Sequence, residues 1–269
     1  MSPLDRFGVF RELHASGCFV IPNPWDVGSA RLLAQLGFKA LATTSSGFAW
    51  SLGRRDNHVS LAESLGHLRA ISTSVEAPVN ADFEGGFAVA PEDVARNVAQ
   101  AARTGVAGLS IEDSTGDAND PLFDFTLSVD RIRAARQALD EANPDVLLTA
   151  RSEGFIVGRP DLHETIRRLT AYAEAGAECL YAPGIRSMTD VGAVVQAVAP
   201  KPVNVLVGAD FTTVGALADA GVRRISVGGA LARVAWGGFL RAAREIAEHG
   251  TFTGLGSAVP FADIERAFA

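Results

Sequence analysis

The stretch GLSIED, at residues 108–113, decides the fold because it is an apolar run that ends in two acids. PVNAD at residues 78–82 and VLLTAR at residues 146–151 have the same form. A strand buried on both faces should be almost purely apolar, and a charge at its end costs desolvation energy unless it is paired or holds an ion. In proteins built from β/α repeats, the carboxyl ends of the strands carry the ligand site. The three runs therefore predict one site where several strand ends converge.

Apolar strand-like runs alternate with amphipathic helical stretches along the chain. The predicted strands lie near residues 19–22, 40–43, 79–82, 108–112, 146–150, 179–181, 203–206 and 224–227. The predicted helices lie near residues 27–36, 61–74, 91–103, 129–141, 162–175, 189–199, 212–220 and 230–249. Glycine follows several helices, as at Gly105 and Gly176, and it adopts the left-handed conformation of a helix end at little cost.

Eight such units in 269 residues predict an α/β fold, the (β/α)8 TIM-type barrel. A doubly wound open sheet fits less well, because no linker or shift in composition marks a second domain. We therefore expect one barrel domain over residues 1–269, with residues 254–269 as a C-terminal helical extension. This last helix either packs on its own barrel or is exchanged between subunits.

The composition excludes several classes of protein. A net charge of −7 and a pI near 5.3 disfavour a nucleic-acid-binding surface, which needs a basic face. No apolar run is long enough to cross a bilayer, and the N-terminus has no signal-peptide pattern. The two cysteines have no metal-site or redox spacing. A cytoplasmic protein without nucleic-acid or membrane partners is the expectation.

Strand alternation points the polar residues of the three runs in one direction. If Asp82, Glu112 and Arg151 face the barrel interior, they meet at its mouth. Two carboxylates about 4 Å apart repel by roughly 4 kcal/mol at an effective dielectric of 20, and a cation removes that cost. Oxygen ligands without histidine favour Mg²⁺ or Mn²⁺, with Asn80 as a further ligand. The alternative is that Asp82 or Glu112 simply pairs with Arg151 or caps a following helix.

Other residues near the predicted rim are candidates for substrate binding. Thr44, Ser45 and Ser46 follow the second strand, and small hydroxyl residues leave backbone N–H groups open to an anion. The alternative is an ordinary turn between strand and helix. Asp56 supplies another acid near the same rim, and Asn204 in the seventh strand is a further substrate-binding candidate.

Several segments, taken in order, resemble the isocitrate lyase/phosphoenolpyruvate mutase superfamily over most of the chain. They are PWDVGSARLL at residues 24–33, LGRRD at 52–56, NADFEGG at 80–86, IED at 111–113 and AR at 150–151. NADFEGG looks like a variant of the D-x-D-x-G-x-G stretch of that family. The resemblance implies an α/β barrel, Mg²⁺ at the strand ends and small 2-oxo or hydroxy acids as substrates. It also implies a homo-oligomer, dimer or tetramer, often with an exchanged C-terminal helix.

The resemblance also implies roles for individual residues. By position, Asp82 and Glu112 match metal-site acids, and Asn80 stands where the family usually has an aspartate. Asp56 matches an outer acid of that site, and Arg151 matches a substrate-binding arginine with a place in the catalytic site. The residues matched to the loop whose backbone amides hold the substrate carboxylate or oxyanion are Thr44, Ser45 and Ser46.

Departures from the family pattern reduce the number of reactions that fit the sequence. The lyases carry a K-[KR]-C-G-H segment after the Glu-Asp motif, whereas residues 114–123 contain no cysteine, histidine or lysine. This speaks against cleavage of isocitrate or methylisocitrate. The leading hypothesis is Mg²⁺-dependent C–C cleavage of an oxaloacetate-like 2-oxo acid by a lyase, decarboxylase or hydrolase. The alternatives are a phosphonopyruvate mutase or hydrolase, and a 2-oxo-acid-binding protein that has lost catalysis.

Overall fold

The computed structural model describes residues 6–269, and its centre is a barrel of eight parallel strands. The strands are β1 (Phe19–Ile21), β2 (Leu41–Ala42), β3 (Val79–Asp82), β4 (Gly108–Glu112), β5 (Leu147–Arg151), β6 (Cys179–Tyr181), β7 (Val203–Leu206) and β8 (Arg224–Ser226). Each pairs with its neighbours in the order β1-β8-β7-β6-β5-β4-β3-β2. The backbone N–H of Ala42 donates to the carbonyl of Pro22 at 3.0 Å, which brings β2 against the end of β1. The TIM-type fold predicted from the sequence is confirmed.

Helices alternate with the strands and surround the barrel. They are α1 (Arg6–Ala15), α2 (Val27–Gln35), α3 (Ser45–Ser51), α4 (Leu61–Ser74), α5 (Pro91–Ala102), α6 (Phe125–Ala142), α7 (Leu162–Glu174), α8 (Met188–Val198), α9 (Val214–Asp219), α10 (Ala230–His249) and α11 (Phe261–Phe268). Gly105 and Gly176, expected to end helices, have φ of 91° and 107°. A residue with a Cβ is strained at these angles, which is why glycine stands there.

Three local predictions differ from the structure. The segment after β2, predicted as a loop, becomes α3, because the Thr44 hydroxyl accepts from the backbone N–H of Gly47 and so caps a helix there. The helix α1 was not predicted, since its sequence is only weakly amphipathic. The helix α6 begins at Phe125 rather than 129, because the Asp124 carboxylate accepts two N–H groups of its first turn.

Two apolar cores support the barrel. The larger lies between the strands and the surrounding helices. The smaller fills the N-terminal end of the barrel interior, where Phe10 from α1 packs with Phe19, Leu147 and Cys179. Above this layer the interior becomes polar, and the register places Glu112 of β4 beside Arg151 of β5. The apolar end of the interior therefore stabilises the barrel, while the carboxyl ends of the strands carry the polar side chains that can form a functional site.

The C-terminal segment lies partly against its own barrel. Gln35 of α2 donates to the backbone carbonyl of Ala267, and the guanidinium of Arg31 lies 6.0 Å from the ring centroid of Phe268. No residue of α11 is fully buried. None of the helices within residues 6–269 is long and apolar enough to span a membrane.

Candidate active site

The guanidinium of Arg151 lies among three carboxylates at the carboxyl ends of the strands. Its Nη1 is 2.6 Å from Oδ1 of Asp82, and its Nη2 is 3.1 Å from Oε2 of Glu112. Nε and Nη2 both lie 2.9 Å from Oε1 of Glu153. All four side chains are largely buried. The structure thus brings Asp82, Glu112 and Arg151 together, with the guanidinium between the acids.

The second oxygen of Asp82 is held by the start of α3. Both the backbone N–H and the hydroxyl of Ser45 donate to Oδ2 of Asp82, at 2.9 and 2.8 Å. The Thr44 and Ser46 hydroxyls lie 3.1 Å apart beside this contact. For Ser46, no protein acceptor of its backbone N–H is present among residues 6–269. The backbone N–H of Ser45 is therefore used in a hydrogen bond to Asp82, whereas the backbone N–H of Ser46 is open, that is, available to a ligand.

The site contains more negative charge than Arg151 can balance. Burial, together with the nearby charges of Asp82 and Asp56, raises the pKa of Glu84 to about 8. Burial also raises the pKa of Glu112, although the charge of Arg151 opposes the change. Asp56 itself lies in the exposed rim loop, where Asn57 donates its backbone N–H to Oδ1 at 3.0 Å. Burial and mutual repulsion therefore oppose the full ionisation of these acids.

A layer of neutral polar groups and one buried arginine lies below the carboxylates. Arg224 donates through Nε to Oδ1 of Asn204 at 2.9 Å and through Nη2 to the Thr149 hydroxyl at 3.1 Å. Its Nη1 lies 3.4 Å from Oδ1 of Asn80, whose Nδ2 donates to the carbonyl of Ala81 at 3.0 Å. The oxygen of Asn80 is therefore directed at Arg224, below the level of Asp82.

These groups surround a single cavity of about 320 Å³ at the mouth of the barrel. The predicted site residues that line it are Thr44, Ser45, Ser46, Asp56, Asn80, Asp82, Glu112, Arg151 and Asn204. The cavity is small for a binding site, which suits a ligand of a few carbon atoms. Charged and polar groups dominate its upper wall, so an anionic or strongly polar ligand fits it better than an apolar one.

The donor chemistry fits a hard divalent cation, although no ligand cage is preformed. Among residues 6–269, no three His, Cys, Asp or Glu side chains converge at metal-binding distance. The carboxylates nevertheless outnumber the one guanidinium that contacts them, and the pKa of Glu84 is raised to about 8 by burial and by Asp82 and Asp56. A cation held by Asp82 and Glu112, with Asp56 nearby, would balance this charge.

Sequence reasoning missed several site residues, among them Glu153, Glu84 and Tyr181. Glu153 completes the ring around Arg151, and its place two residues after Arg151 in ARSE was the available signal. Glu84 lies two residues after Asp82 and has φ of 48°, a left-handed conformation that could not be predicted from the sequence. Tyr181 ends β6 and lines the cavity, and a polar atom at a strand end could have indicated it.

Comparison with known proteins agrees with this fold. The family model for phosphoenolpyruvate phosphomutase matches residues 10–247. A crystallised protein from Burkholderia cenocepacia J2315, described no further than as a lyase or mutase, is 48% identical; the match has a TM-score of 0.96 and covers 99% of this chain and 96% of that one. The oxaloacetate decarboxylase of Pseudomonas fluorescens is 31% identical over 185 residues, which are 66% of this chain and 62% of the relative.

A second solved structure shares the barrel at lower identity. It is an oxaloacetate acetylhydrolase in complex with its product oxalate, 26% identical with a TM-score of 0.87, over 98% of this chain and 94% of that one. Because the family model covers most of the chain, the protein belongs to the phosphoenolpyruvate phosphomutase family.

Proposed function

We propose that the protein is a Mg²⁺-dependent enzyme that cleaves a C–C bond of a small 2-oxo dicarboxylic acid of the oxaloacetate type, by decarboxylation or hydrolysis. The observation that carries the proposal is the group of buried carboxylates around Arg151 in a cavity of about 320 Å³. Relatives named for reactions of oxaloacetate support this choice of substrate.

Each side chain has a defined task in this proposal. Bound Mg²⁺ would supply an electrophile for the 2-oxo group and for the negative charge that develops as the bond breaks. Asp82 and Glu112 would hold it. The guanidinium of Arg151 has five N–H groups, and its contacts with the three acids leave one N–H of Nη1 for a substrate carboxylate. The open backbone N–H of Ser46 would also bind a carboxylate of the substrate.

The direct test is the loss of oxaloacetate with and without Mg²⁺. Decarboxylation releases pyruvate and CO₂, with pyruvate measured by a coupled lactate dehydrogenase assay, and hydrolysis releases oxalate and acetate. Asp82→Asn keeps the shape of the side chain and removes its charge, so we expect at least a hundredfold lower rate. Asp93→Asn is the control, because Asp93 forms only an exposed pair with Arg96 on α5. Equal rates for wild type and Asp82→Asn, or full activity after chelation of divalent ions, would contradict the proposal.

The match to the phosphoenolpyruvate phosphomutase family model favours a second candidate function, a reaction of phosphonopyruvate in the same cavity. Phosphorus NMR of phosphonopyruvate incubated with the protein separates the two. Conversion of the phosphonate signal to a phosphate ester indicates a mutase, and release of inorganic phosphate indicates a hydrolase. A third candidate, a 2-oxo-acid-binding protein, is motivated by Asn80, since an amide there removes one negative charge. Tight binding without turnover of any of these acids would favour it.

We also propose that the protein is a homo-oligomer in which α10 packs against a second copy. The helix follows β8, yet its only fully buried residue is Ala232. Val234 and Phe239 are 69% and 60% exposed, an unusual state for large apolar side chains on a barrel helix. Sedimentation should show a dimer or tetramer that Phe239→Glu dissociates. Arg133→Glu on the exposed face of α6 should leave the assembly intact, and a monomeric wild type would contradict the proposal.

A further inference from the structure

Three buried hydrogen bonds connect the floor of the cavity to its wall. Arg224 donates through Nε to Oδ1 of Asn204 at 2.9 Å, and Nδ2 of Asn204 donates to the Ser226 hydroxyl at 2.9 Å. The Ser226 hydroxyl in turn lies 3.4 Å from Oη of Tyr181. All four residues are less than a tenth exposed. This chain of hydrogen bonds therefore connects the guanidinium of Arg224 in the barrel core to the phenol of Tyr181 at the cavity surface.

The direction of these hydrogen bonds follows from the chemistry of arginine. A guanidinium has no acceptor, so the atom of Asn204 that faces Arg224 must be the amide oxygen. The amide nitrogen then faces Ser226 and donates to it. Since the Ser226 oxygen accepts there, its own proton is available for Oη of Tyr181. The phenol oxygen accepts this hydrogen bond, and its own O–H has no protein acceptor among residues 6–269.

Arg224 is itself held in place by groups that can only accept from it. Nδ1 of His14 lies 2.7 Å from the carbonyl of Phe10, so this nitrogen carries the proton. Nε2 of His14 then accepts from Nη1 of Arg224 at 3.2 Å. Burial and the charge of Arg224 lower the pKa of His14 to about 3, which keeps the imidazole neutral. Because none of these partners is a carboxylate, no ion pair balances the positive charge of Arg224 beneath the cavity.

The hydrogen-bond chain that ends at Tyr181 lies across the cavity from the open backbone N–H of Ser46. In the closed order of eight strands, β6 with Tyr181 is four strands from β2, which leads into Ser46. Likewise β7, with Asn204, is four strands from β3, with Asp82. On its other side, Tyr181 pairs with Arg151 of β5, whose guanidinium lies 5.2 Å from the centroid of the phenol ring. A ligand with an anionic group at each end can span the cavity from the backbone N–H of Ser46 to Tyr181.

We propose that the hydroxyl of Tyr181, ordered by the hydrogen bonds from Arg224, donates to the second anionic group of the substrate and so selects a 2-oxo dicarboxylate over a monocarboxylate. This inference rests on the function proposed above and names the substrate class more closely. Tyr181 and Ser226 both line the cavity, as the inference requires. Burial raises the pKa of Tyr181 to about 12, so the phenol keeps its proton at neutral pH.

The test compares two ligands by calorimetry in the presence of Mg²⁺. Difluorooxaloacetate has both carboxylates of the proposed substrate, and oxalate is too short to span the cavity from Ser46 to Tyr181. For Tyr181→Phe we expect difluorooxaloacetate to bind roughly tenfold or more weakly, the loss typical of a hydrogen bond to a charged group. Oxalate should bind within about twofold of wild type. With oxaloacetate as substrate, KM should rise by more than kcat falls.

Two further variants separate the role of the phenol from general damage. Ser226→Ala keeps the phenol and removes only the group that orders it, so it should weaken difluorooxaloacetate by less than Tyr181→Phe does. Ser110→Ala is the matched control, because its hydroxyl also lines the cavity but its proton is used by the carbonyl of Ala81 at 3.2 Å. This variant should bind both ligands as the wild type does.

The outcomes distinguish this inference from the proposed function. If wild type turns over oxaloacetate and Tyr181→Phe binds difluorooxaloacetate equally well, the inference is overturned and the function stands. If Tyr181→Phe weakens both ligands to the same extent, the phenol serves the first carboxylate, and the selection of dicarboxylates is overturned. If wild type neither binds nor converts any 2-oxo acid, both fall. Thermal melts of each variant establish that it is folded.

Discussion

The backbone N–H of Glu153 donates to Oδ1 of Asp113 across 2.8 Å, which connects the acids around Arg151 to a network behind the sheet. Oδ2 of Asp113 accepts from the Tyr172 hydroxyl at 2.7 Å and lies 3.1 Å from Nη1 of Arg168. Asp113 is only 2% exposed, so each of these partners depends on it. The segment that carries Glu153 is therefore positioned from outside the barrel by α7.

Asp113→Asn tests this connection. The amide keeps the shape of the side chain but removes the buried carboxylate that pairs with Arg168, which then keeps only the less buried Glu164 as a counter-ion. Breaking a buried pair typically costs about 3–5 kcal/mol, so we expect the free energy of unfolding, measured with urea, to fall by about the lower of these values. Asp130→Asn is the control, because Asp130 pairs with Arg133 on an exposed face of α6, where such pairs contribute little. Equal stability of the two variants would refute the role of Asp113.

Replacing Arg151 with Met should destabilise the protein in a way that depends on pH and Mg²⁺. The variant leaves Asp82, Glu112 and Glu153 buried without their guanidinium, at a cost of about 3–5 kcal/mol at neutral pH. Acidification should recover part of this loss, because burial already raises the pKa of Glu112 and Glu153.

Thermal melts of Arg151→Met with increasing Mg²⁺ complete this test. Because the cation replaces the missing charge, the melting temperature of the variant should rise more than that of the wild type. Arg11→Met is the control: its pair with Glu178 at 2.6 Å is partly exposed, and we expect a change of less than about 1 kcal/mol and no response to Mg²⁺. A neutral effect of Arg151→Met would contradict the charge arrangement described above.

Gly108→Ala should destabilise the barrel. A Cβ at this position of β4 would lie 2.6 Å from Cε1 of Phe10 and 3.1 Å from the carbonyl oxygen of Leu147. Overpacking of this kind costs about 1–3 kcal/mol. Gly66→Ala in α4 is the matched control, with nothing within 4 Å, and should stabilise by about 0.5–1 kcal/mol. Urea denaturation measures the free energy of unfolding of both variants. It should fall for Gly108→Ala and rise for Gly66→Ala.

The pH dependence of stability should change when His67 is replaced by Phe. The imidazole stacks on Phe48 with ring centroids 3.8 Å apart, and burial lowers its pKa to about 4. In the unfolded chain the ring binds a proton below about pH 6.5, so acid favours unfolding from there down to about pH 4. Between these values the wild type should lose about 1.4 kcal/mol per pH unit more than His67→Phe. Parallel stability curves would show that the buried ring does not titrate this way.

The positions of the strands could be predicted because each is a short apolar run between helices with their own start and stop signals. The eight predicted strands match β1 to β8 to within a residue at each end. Start signals were less reliable where the first residues are poor helix formers. Ser45 begins α3 although Ser-Ser-Gly is typical of a turn, since the Thr44 cap and the contact of Ser45 with Asp82 stabilise the helix.

The convergence of Asp82, Glu112 and Arg151 also followed from sequence, because the ends of parallel strands must meet at one end of a barrel. What the side chains do there did not follow. Strand alternation places Asn80 inside the barrel, but only the structure shows its oxygen directed at Arg224. That contact depends on a residue 144 positions further along the chain.

The sequence by itself determined the order of strands and helices, the barrel and the end at which polar groups collect, because these depend on periodicity and on residues close together in the chain. Only the tertiary structure decided the three-way pairing of Arg151, the support of Glu153 by Asp113, and the line of hydrogen bonds that ends at Tyr181. Apart from the contact of Arg151 with Glu153, these interactions join residues that are far apart in sequence. Their geometry is set by the closure of the barrel, which no local pattern encodes.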